Sequence, residues 1–523
     1  MTSKTLNNTF NTLKMSNQTS DNNKRIAKNT LLLYIRMIFT MGVTLYTSRV
    51  ILNTLGVEDY GIYNVAGGVI SMFSFINVAI GTGTLRYITY QLGKNDLDKL
   101  QTVFSTCIQI HVLISFVTIL LGETIGLWFL YEKLVIPEER FEAALWVYQC
   151  SILATVVNIM STPYNADIIA HEKMSAFAYI SVLEVSLKLL IVYILVIASF
   201  DKLKLYAILL LSVQLLIRYI YGRYCAKHFV ESKYKHIRDK KLFREMMSFS
   251  GWNFFGAISG VVYTQGLNML LNMFFGPIVN AARGIAVQVQ GAIQQFVANF
   301  QTALNPQITK TYANGDFTAM HNLMFRSAKF SYYLLFLLTL PVILETNFIL
   351  KLWLGIVPEN TVIFLRIILC TSLIYSIANP MITANQATGI VKTYQLVIGL
   401  LLMFILPISY ICLRLGFPAY VVFLVHLVME LCCQIARMLL LRKTIFLSIK
   451  DYIYNIYIPI ATVTIISIIV PLLVYFYMPD GFGKFLTICI SCAFSIVLTT
   501  YFCGLSKHEK EVILKKIILK IKK

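Results

Sequence analysis

Residues 394–413 run YQLVIGLLLMFILPISYICL, twenty consecutive positions without a charged side chain. An α-helix of about 20 apolar residues is long enough to cross the hydrocarbon core of a bilayer. Apolar stretches of this length recur from Asn29 almost to the C-terminus. The stretch therefore predicts one of many membrane-spanning helices.

The chain as a whole is too poor in charge to cover a water-exposed surface. Of its 523 residues, 57% are hydrophobic and 13% are charged, whereas soluble domains contain about 25% charged residues. The mean hydropathy is +0.70. These values predict an all-α integral membrane protein with about fourteen transmembrane helices. We expect the helices at residues 29–52, 60–85, 103–130, 143–165, 174–199, 204–222, 247–274, 278–303, 330–350, 360–379, 394–413, 417–437, 453–477 and 484–504.

The net charge is +20, from 45 Lys and Arg against 25 Asp and Glu. With the N-terminus placed in the cytoplasm, most basic residues fall at cytoplasmic segments, above all residues 218–244 and 507–523. This is the positive-inside bias of membrane proteins. It predicts a multi-pass protein with both termini in the cytoplasm, in contact with the lipid bilayer and without a nucleic acid partner.

The same pattern divides the chain into lobes, tails and connections. We expect a disordered cytoplasmic tail at 1–28, a six-helix lobe at 29–225, a basic cytoplasmic linker at 226–246, a second six-helix lobe at 247–445, two additional helices at 446–505 and a basic tail at 506–523. The first of these segments has no apolar core, so it does not resemble a signal peptide.

Signatures of catalysis and of metal binding are missing from the sequence. It has no Gly-rich phosphate loop ending in Lys-Ser or Lys-Thr, and its seven histidines are scattered. The ten cysteines lie mostly inside apolar segments, which argues against a disulfide framework. We therefore expect a transporter rather than an enzyme, with no catalytic residue, no metal site and no cofactor. Coupling to a proton or sodium gradient is left open.

An internal repeat organises the predicted helices. Two stretches align without a gap at an offset of 220 residues, which pairs Gly56 with Gly276 and Asp96 with Asp316. A second alignment, at an offset of 217, begins at Ser161. Six predicted helices separate equivalent positions, so both copies cross the membrane in the same direction. We predict two pseudo-symmetric six-helix bundles that enclose a central cavity, plus two extra C-terminal helices.

Polar stripes on the opening helices of each bundle are expected to line this cavity, because polar groups at membrane depth usually face protein or water. The candidates lie on the first, second, seventh and eighth helices and comprise Thr40, Thr44, Asn64, Gln265, Asn268, Asn272, Gln288, Gln295 and Asn299. The eighth helix has a second, nearly opposite stripe at Gln290, Gln294, Gln301 and Asn305. One of its two stripes is expected to form interhelical hydrogen bonds rather than to line the cavity.

Several charged residues lie within the predicted helices, and the sequence allows more than one role for them. Arg36 shares a helical face with the threonine stripe and either lines the cavity or extends to the cytoplasmic surface. Glu184 and Lys188 are four residues apart with Glu first, the favourable order for an ion pair. That pair is either structural or a relay for protons or substrate. The carboxylates that remain as coupling candidates, or as paired and end-of-helix groups, are Glu123, Glu345 and Glu430.

Residues 48–63, SRVILNTLGVEDYGIY, carry a more specific pattern of Leu-Gly, three residues, then Tyr-Gly-x-Tyr. This pattern resembles the signature of the polysaccharide exporter, or Wzx-type, oligosaccharide flippases of the MATE-like (MOP) superfamily. The helix layout and the duplication fit the resemblance over essentially the whole chain. It implies alternating-access movement of undecaprenyl-pyrophosphate-linked oligosaccharide across the bacterial cytoplasmic (inner) membrane, for lipopolysaccharide O-antigen or capsule biosynthesis.

The resemblance also implies partners and binding residues. Other membrane proteins of polysaccharide assembly are implied as partners, and the family's cavity arginines correspond to Arg36, Arg49 and Arg283. Guanidinium groups suit a diphosphate because they bind phosphate oxygens bidentately.

Two other functions are alternatives to that of an oligosaccharide flippase. A cation-coupled multidrug extruder of the related MATE branch usually has an acidic residue in the first or seventh helix, and this sequence has none there. A membrane polysaccharide polymerase or ligase would need large external loops with catalytic residues, and the predicted external loops are short.

Overall fold

The computed structural model describes residues 28–44, 46–47, 50–51, 53–56, 59, 62–63, 67, 74–132, 136–236, 239–354, 357–506 and 509–511. Within these ranges the chain is helical and contains no strand. Eleven helical segments of the described part are long and apolar enough to cross a membrane. Three further predicted spans overlap with helices that are not among the eleven, at residues 28–44, Ser74–Lys94 and Pro277–Ala313.

The chain divides into two compact units, with the boundary between Phe254 and Phe255. The helices up to and across this boundary are α1 at residues 28–44, α2 Ser74–Lys94, α3 Leu97–Leu121, α4 Leu127–Glu132, α5 Glu138–Ala170, α6 Met174–Ile197, α7 Lys202–His228 and α8 Lys240–Phe275. A π-helical turn, Gly122–Gly126, joins α3 to α4, and a 3₁₀ turn, Val230–Ser232, follows α7. In this first unit α5 packs against α2, α3 and α7, and α6 packs against α7.

The second unit contains the remaining helices. They are α9 Pro277–Ala313, α10 Phe317–Leu344, α11 Thr346–Leu354, α12 Thr361–Thr388, α13 Lys392–Met403, α14 Ile405–Arg414, α15 Val421–Thr444, α16 Ile449–Tyr452, α17 Ile458–Tyr477 and α18 Phe482–Thr499. Here α12 packs against α9, α10 and α15, and α17 packs against α18. Buried aliphatic and aromatic side chains form the core between these helices, for example Ile308, Met324 and Phe364.

Many helices are longer than the predicted membrane spans, because hydropathy detects the hydrocarbon-crossing part and not the helix ends. Helix α8, predicted from residue 247, begins at Lys240. Side-chain caps stabilise such polar ends by accepting hydrogen bonds from free backbone N–H groups. Asp96 accepts from the N–H of Lys99 at 3.1 Å, and Asp316 accepts from the N–H of Ala319 at 2.9 Å.

The paired positions of the predicted repeat share their local structure. Asp96 and Asp316 both cap helices, and Gly56 and Gly276 both adopt left-handed backbone, with φ of 82° and 78°. Such φ values favour glycine because it has no Cβ. These matches are what a duplication requires, while the arrangement of six, six and two helices stays a prediction.

The stretch 394–413 is not one straight helix. Helix α13 ends at Met403 and α14 begins at Ile405. Pro407 has no N–H to donate to the carbonyl of Met403, four residues earlier, so the helical hydrogen-bond ladder is interrupted at this point. The predicted span 330–350 is likewise divided, between α10 and α11 at Glu345.

Small residues allow close helix contacts in the second unit. A Cβ on Gly399 of α13 would lie 2.8 Å from Ser259 Oγ and 2.9 Å from Phe255 Cε1, both on α8. Glycine at the contact lets the two backbones approach, as in other membrane helix pairs. Large apolar side chains such as Ile197 and Phe476 are exposed, as expected for a surface in contact with lipid.

Candidate functional site

A polar cavity with a volume of about 410 Å³ lies within the second unit. It is bounded by α8, α9, α12 and α15, and α12 holds α9 and α15 in place by packing against both. Its polar lining consists of Tyr263, Thr264, Arg283, Gln290, Gln294, Thr371, Ser372, Tyr375, His426, Glu430 and Arg437. We call this space the second-unit cavity.

Arg283, one of the three predicted headgroup arginines, lines this cavity and is 7% exposed. Its Nη1 donates a hydrogen bond to Asn268 Oδ1, and its Nη2 donates to the backbone carbonyl of Thr264 at 3.1 Å. Its buried Nε has no hydrogen-bond partner. Among the described residues no carboxylate pairs with this guanidinium, so it keeps a positive charge and an unused donor at the cavity wall.

A second buried cation, Arg437, is not among the predicted site residues. Its Nη1 contacts Glu430 Oε1 at 2.5 Å, and its Nε donates to Tyr394 Oη at 3.2 Å. Both charged side chains are almost completely buried. The two residues are seven apart on α15, two helical turns, so they share a face. That spacing is the sequence signal that could have identified the pair, and Glu430 is therefore a paired carboxylate.

The polar stripes of α9 have different surroundings. Gln290 and Gln294 donate to Ser372 Oγ at 2.8 and 3.2 Å, and Gln301 donates to Ser331 Oγ at 3.0 Å. This stripe forms the expected interhelical hydrogen bonds to α12 and α10. Two of its members also line the second-unit cavity.

The opposite stripe of α9 contains the predicted lining residues. Gln288 and Gln295 are exposed, whereas Asn299 is 4% exposed and its Nδ2 has no hydrogen-bond partner. None of these three lines the second-unit cavity. The structure therefore separates them from Arg283, although all four lie on one helix.

The predicted stripe of α8 is linked to Arg283 through its middle member. Asn268 Nδ2 donates to Gln265 Oε1 at 3.1 Å, while Asn268 Oδ1 accepts from Arg283. Gln265 and Asn272 are exposed. Asn268 thus links the α8 stripe to the arginine at the cavity wall.

In the first unit, Glu184 and Lys188 form the expected ion pair at 2.7 Å. Gln214 Nε2 donates to Glu184 Oε1 at 3.2 Å. Lys188 and Gln214 line a smaller cavity of about 230 Å³, together with Tyr63 of the signature. The role of this pair, as a structural contact or as a relay, stays a prediction.

Arg36 packs against an aromatic ring of the first unit. Its guanidinium carbon lies 4.5 Å from the centre of the Phe177 ring, and its buried Nε has no hydrogen-bond partner. Thr40 donates to the carbonyl of Met37 at 3.1 Å, and Thr44 is exposed. Arg36 does not line either cavity named above.

Two predicted site residues, Arg49 and Asn64, lie outside the described residues. The other carboxylate candidates have partners: Glu123 accepts from Gln149 at 3.3 Å, and Glu345 lies 3.9 Å from Lys484.

Comparison with known proteins identifies the family. A family model described as polysaccharide biosynthesis protein matches residues 26–312, more than half of the chain. The chain belongs to the polysaccharide biosynthesis protein family. This confirms the family resemblance inferred from the signature at residues 48–63. A search of curated protein sequences returns no significant match.

Solved structures show that the chain has the fold of MATE transporters. An outward-facing multidrug resistance MATE family transporter of that superfamily aligns with a TM-score of 0.66 and 15% identity, over 80% of this chain and 96% of that chain. The MATE transporter ClbM in complex with Rb⁺ aligns with a TM-score of 0.68 and 17% identity, over 82% and 97%.

A third similar structure is a MOP superfamily transporter from Pyrococcus furiosus, for which a reversed polarity of the binding pocket suggests a different function. It aligns with a TM-score of 0.59 and 14% identity, over 80% of this chain and 96% of that chain. At identities this low, the similarity establishes the fold alone.

Proposed function

We propose that this protein moves undecaprenyl-pyrophosphate-linked oligosaccharide units across the bacterial cytoplasmic membrane by alternating access, for surface polysaccharide biosynthesis. Family membership and fold support this proposal. The observation that carries it is the guanidinium of Arg283, which lines a polar cavity with a buried Nε that has no hydrogen-bond partner.

The charge of the second-unit cavity suits an anion. Arg437 neutralises Glu430, because the two side chains are 2.5 Å apart. Among the described arginines and carboxylates of the lining, Arg283 is therefore the charged residue that no opposite charge neutralises. A diphosphate that enters a poorly hydrated cavity loses water contacts, and a fixed guanidinium with matched donors offsets that cost.

The size of the cavity limits what it holds. Small-molecule sites have volumes of about 300–1,000 Å³, and the second-unit cavity has about 410 Å³. We propose that it accommodates the diphosphate and the first sugar, whose hydroxyls meet Gln290, Gln294 and Ser372. The lipid tail and the remaining sugars stay outside it.

The second candidate function is cation-coupled multidrug extrusion, which the MATE fold favours. An extruder of that kind needs a carboxylate that exchanges a cation. The carboxylate that lines the second-unit cavity is neutralised, because Glu430 pairs with Arg437, and Glu184 of the first unit pairs with Lys188, which lines the smaller cavity. This pairing supports the anionic substrate over the extruder.

The test compares Arg283→Ala and Arg283→Lys with Arg414→Ala, an exposed arginine of the same unit. We expect Arg283→Ala to reduce polysaccharide export at least about ten-fold, since a buried charge contact is lost. Lys should keep part of the activity because it retains charge without the guanidinium geometry. Export and accumulated lipid-linked precursor are measured in cells with matched membrane abundance of each variant.

Three outcomes of this test separate the candidates. Normal export in Arg283→Ala with normal protein abundance contradicts the headgroup role. Unchanged precursor levels together with altered drug resistance favour the extruder. Arg36→Glu is measured beside these variants: if it abolishes export and Arg283→Ala does not, the headgroup site lies in the first unit instead.

A further inference from the structure

Three potential ligands, which line neither cavity described above, meet at the end of α5 in the first unit. They are the carboxylates of Asp167 and Glu231 and the imidazole of His171. One ligand atom from each lies within 4.8 Å of the others. His171 Nε2 is 2.5 Å from Glu231 Oε1 and 3.7 Å from Asp167 Oδ1. We call this group the α5 cluster.

The Asp167 carboxylate is the unusual member of the α5 cluster. Its side chain is completely buried, and neither of its oxygens has a hydrogen-bond partner. Among the described residues, His171 is the one basic group within 4 Å of either carboxylate. Two buried carboxylates that share one imidazole have a deficit of positive charge and of donors, and a buried charge is stable only when it is compensated.

The surrounding structure holds the ligands in place. Asp167 and His171 are four residues apart at the end of α5, so they lie on one face. The His171 ring stacks on Phe229, with the ring centres 4.1 Å apart. Glu231 lies in the 3₁₀ turn after α7, where Ser232 Oγ donates to the carbonyl of Phe229.

The cluster is specific to the first half of the repeat. At the offset of 217 residues, the positions of Asp167 and His171 correspond to Ala384 and Thr388. The duplication therefore does not account for an acid and a histidine here. Packing between the two helix ends does not require them either, because the second copy has an uncharged pair.

We propose that Asp167, His171 and Glu231 bind a divalent transition-metal ion, Zn²⁺ or Mn²⁺, which ties the end of α5 to the turn after α7. An imidazole with carboxylates suits these ions, whereas Mg²⁺ and Ca²⁺ prefer oxygen ligands alone. This site contrasts with the expectation from sequence that the chain has no metal site. Glu231 is 60 residues from His171 in the sequence, so no motif spacing indicates it.

The observed distances fit such a site with a small adjustment. Tetrahedral zinc with bonds of about 2.0 Å keeps ligand atoms about 3.3 Å apart. The distance of 3.7 Å from His171 Nε2 to Asp167 Oδ1 is close to this value, and the contact of 2.5 Å from His171 Nε2 to Glu231 Oε1 lengthens when both atoms bind a metal ion. His171 is 25% exposed, which gives an ion access and leaves a position for a water ligand.

The experiment uses the full-length protein, purified in detergent and stripped with EDTA. Binding of Zn²⁺, Mn²⁺ and Mg²⁺ is measured by titration calorimetry, and Co²⁺ is added to record ligand-field absorption. We expect saturation near one Zn²⁺ or Mn²⁺ per chain, a melting temperature higher by several degrees, and no comparable effect of Mg²⁺. Asp167→Asn, which keeps the shape and removes the charge, should weaken Zn²⁺ binding at least about ten-fold.

Matched controls are Asp98→Asn and His228→Gln, which alter an exposed acid and an exposed histidine of the same unit. Both should bind Zn²⁺ as the wild type does. The site is refuted if the wild type shows no saturable binding of Zn²⁺, Mn²⁺ or Co²⁺, a result that does not depend on any variant folding. It is also refuted if Asp167→Asn binds as tightly as the controls. None of these measurements depends on the transported substrate.

Discussion

At the residue scale, the ion pair of Glu430 and Arg437 is expected to contribute strongly to the stability of the protein. Both side chains are almost completely buried, so removal of one partner leaves the other charge uncompensated. We expect Arg437→Met to destabilise the protein by about 3–5 kcal/mol. The double variant Glu430→Gln with Arg437→Met should recover much of this loss. Thermal unfolding in detergent gives the melting temperatures of the purified wild type, the single variant and the double variant, which are then compared.

The pair of Asp480 and Lys484 is the matched control. Its ions are 2.7 Å apart, but Asp480 is 95% exposed. Its partner Lys484 is 6% exposed and also lies 3.9 Å from Glu345. Asp480→Asn therefore removes an exposed charge and leaves Lys484 beside another carboxylate, so it should change the melting temperature little. If Arg437→Met behaves like this control, the buried pair is not a stabilising centre of the second unit.

At the scale of one element, the two faces of α9 should differ in chemical accessibility. Gln288 and Gln295 are exposed, whereas Gln301 is 6% exposed and bonded to α10. Cysteines that replace the first two should react with a membrane-impermeant, water-soluble maleimide from one side of the membrane, and a cysteine at Gln301 should not. Protection of all three positions would mean that both stripes pack against protein or lipid, and we would then abandon the lining role of the exposed stripe.

This labelling needs a background without native thiols, because Cys370, Cys432 and Cys503 are exposed. A cysteine at Gln265 on α8 extends the test to the second predicted stripe. Labelling that changes with transport substrate would link these faces to the alternating-access cycle, whereas constant labelling would place them outside it.

At the scale of the whole molecule, the charge bias makes a prediction about topology. Reporters that are active only outside the cytoplasm should be active after some helices and inactive after others. Fusions after Asp59, Glu138, Lys202 and Pro479 should report outside, and fusions after Lys94, Lys240, Asn314 and Lys523 should report inside. One fusion that reports on the wrong side contradicts the prediction of fourteen helices. A reporter that is active after Asn314 also contradicts the parallel repeat.

The predictions from sequence succeeded where neighbours in the chain decide the structure. The ion pair of Glu184 and Lys188 follows from its spacing on one helix, and Asp96 and Asp316, which the repeat pairs, have the same local role as helix caps. Helix ends were less predictable, since polar residues beyond the membrane can continue a helix. The helix break between Met403 and Ile405 has a local cause in Pro407. A prediction that uses only the length of an apolar stretch does not detect this break.

The sequence by itself determined the membrane environment, the helical class and the family, because apolar length, charge deficit and a contiguous signature are properties of adjacent residues. Only the tertiary structure decided which distant polar groups meet. Arg283 lines a cavity beside Thr264, while Gln288 of the same helix does not. Asp167 meets Glu231 from another segment. The physical reason is that periodicity places residues on a face of a helix, whereas packing against other helices decides what each face contacts.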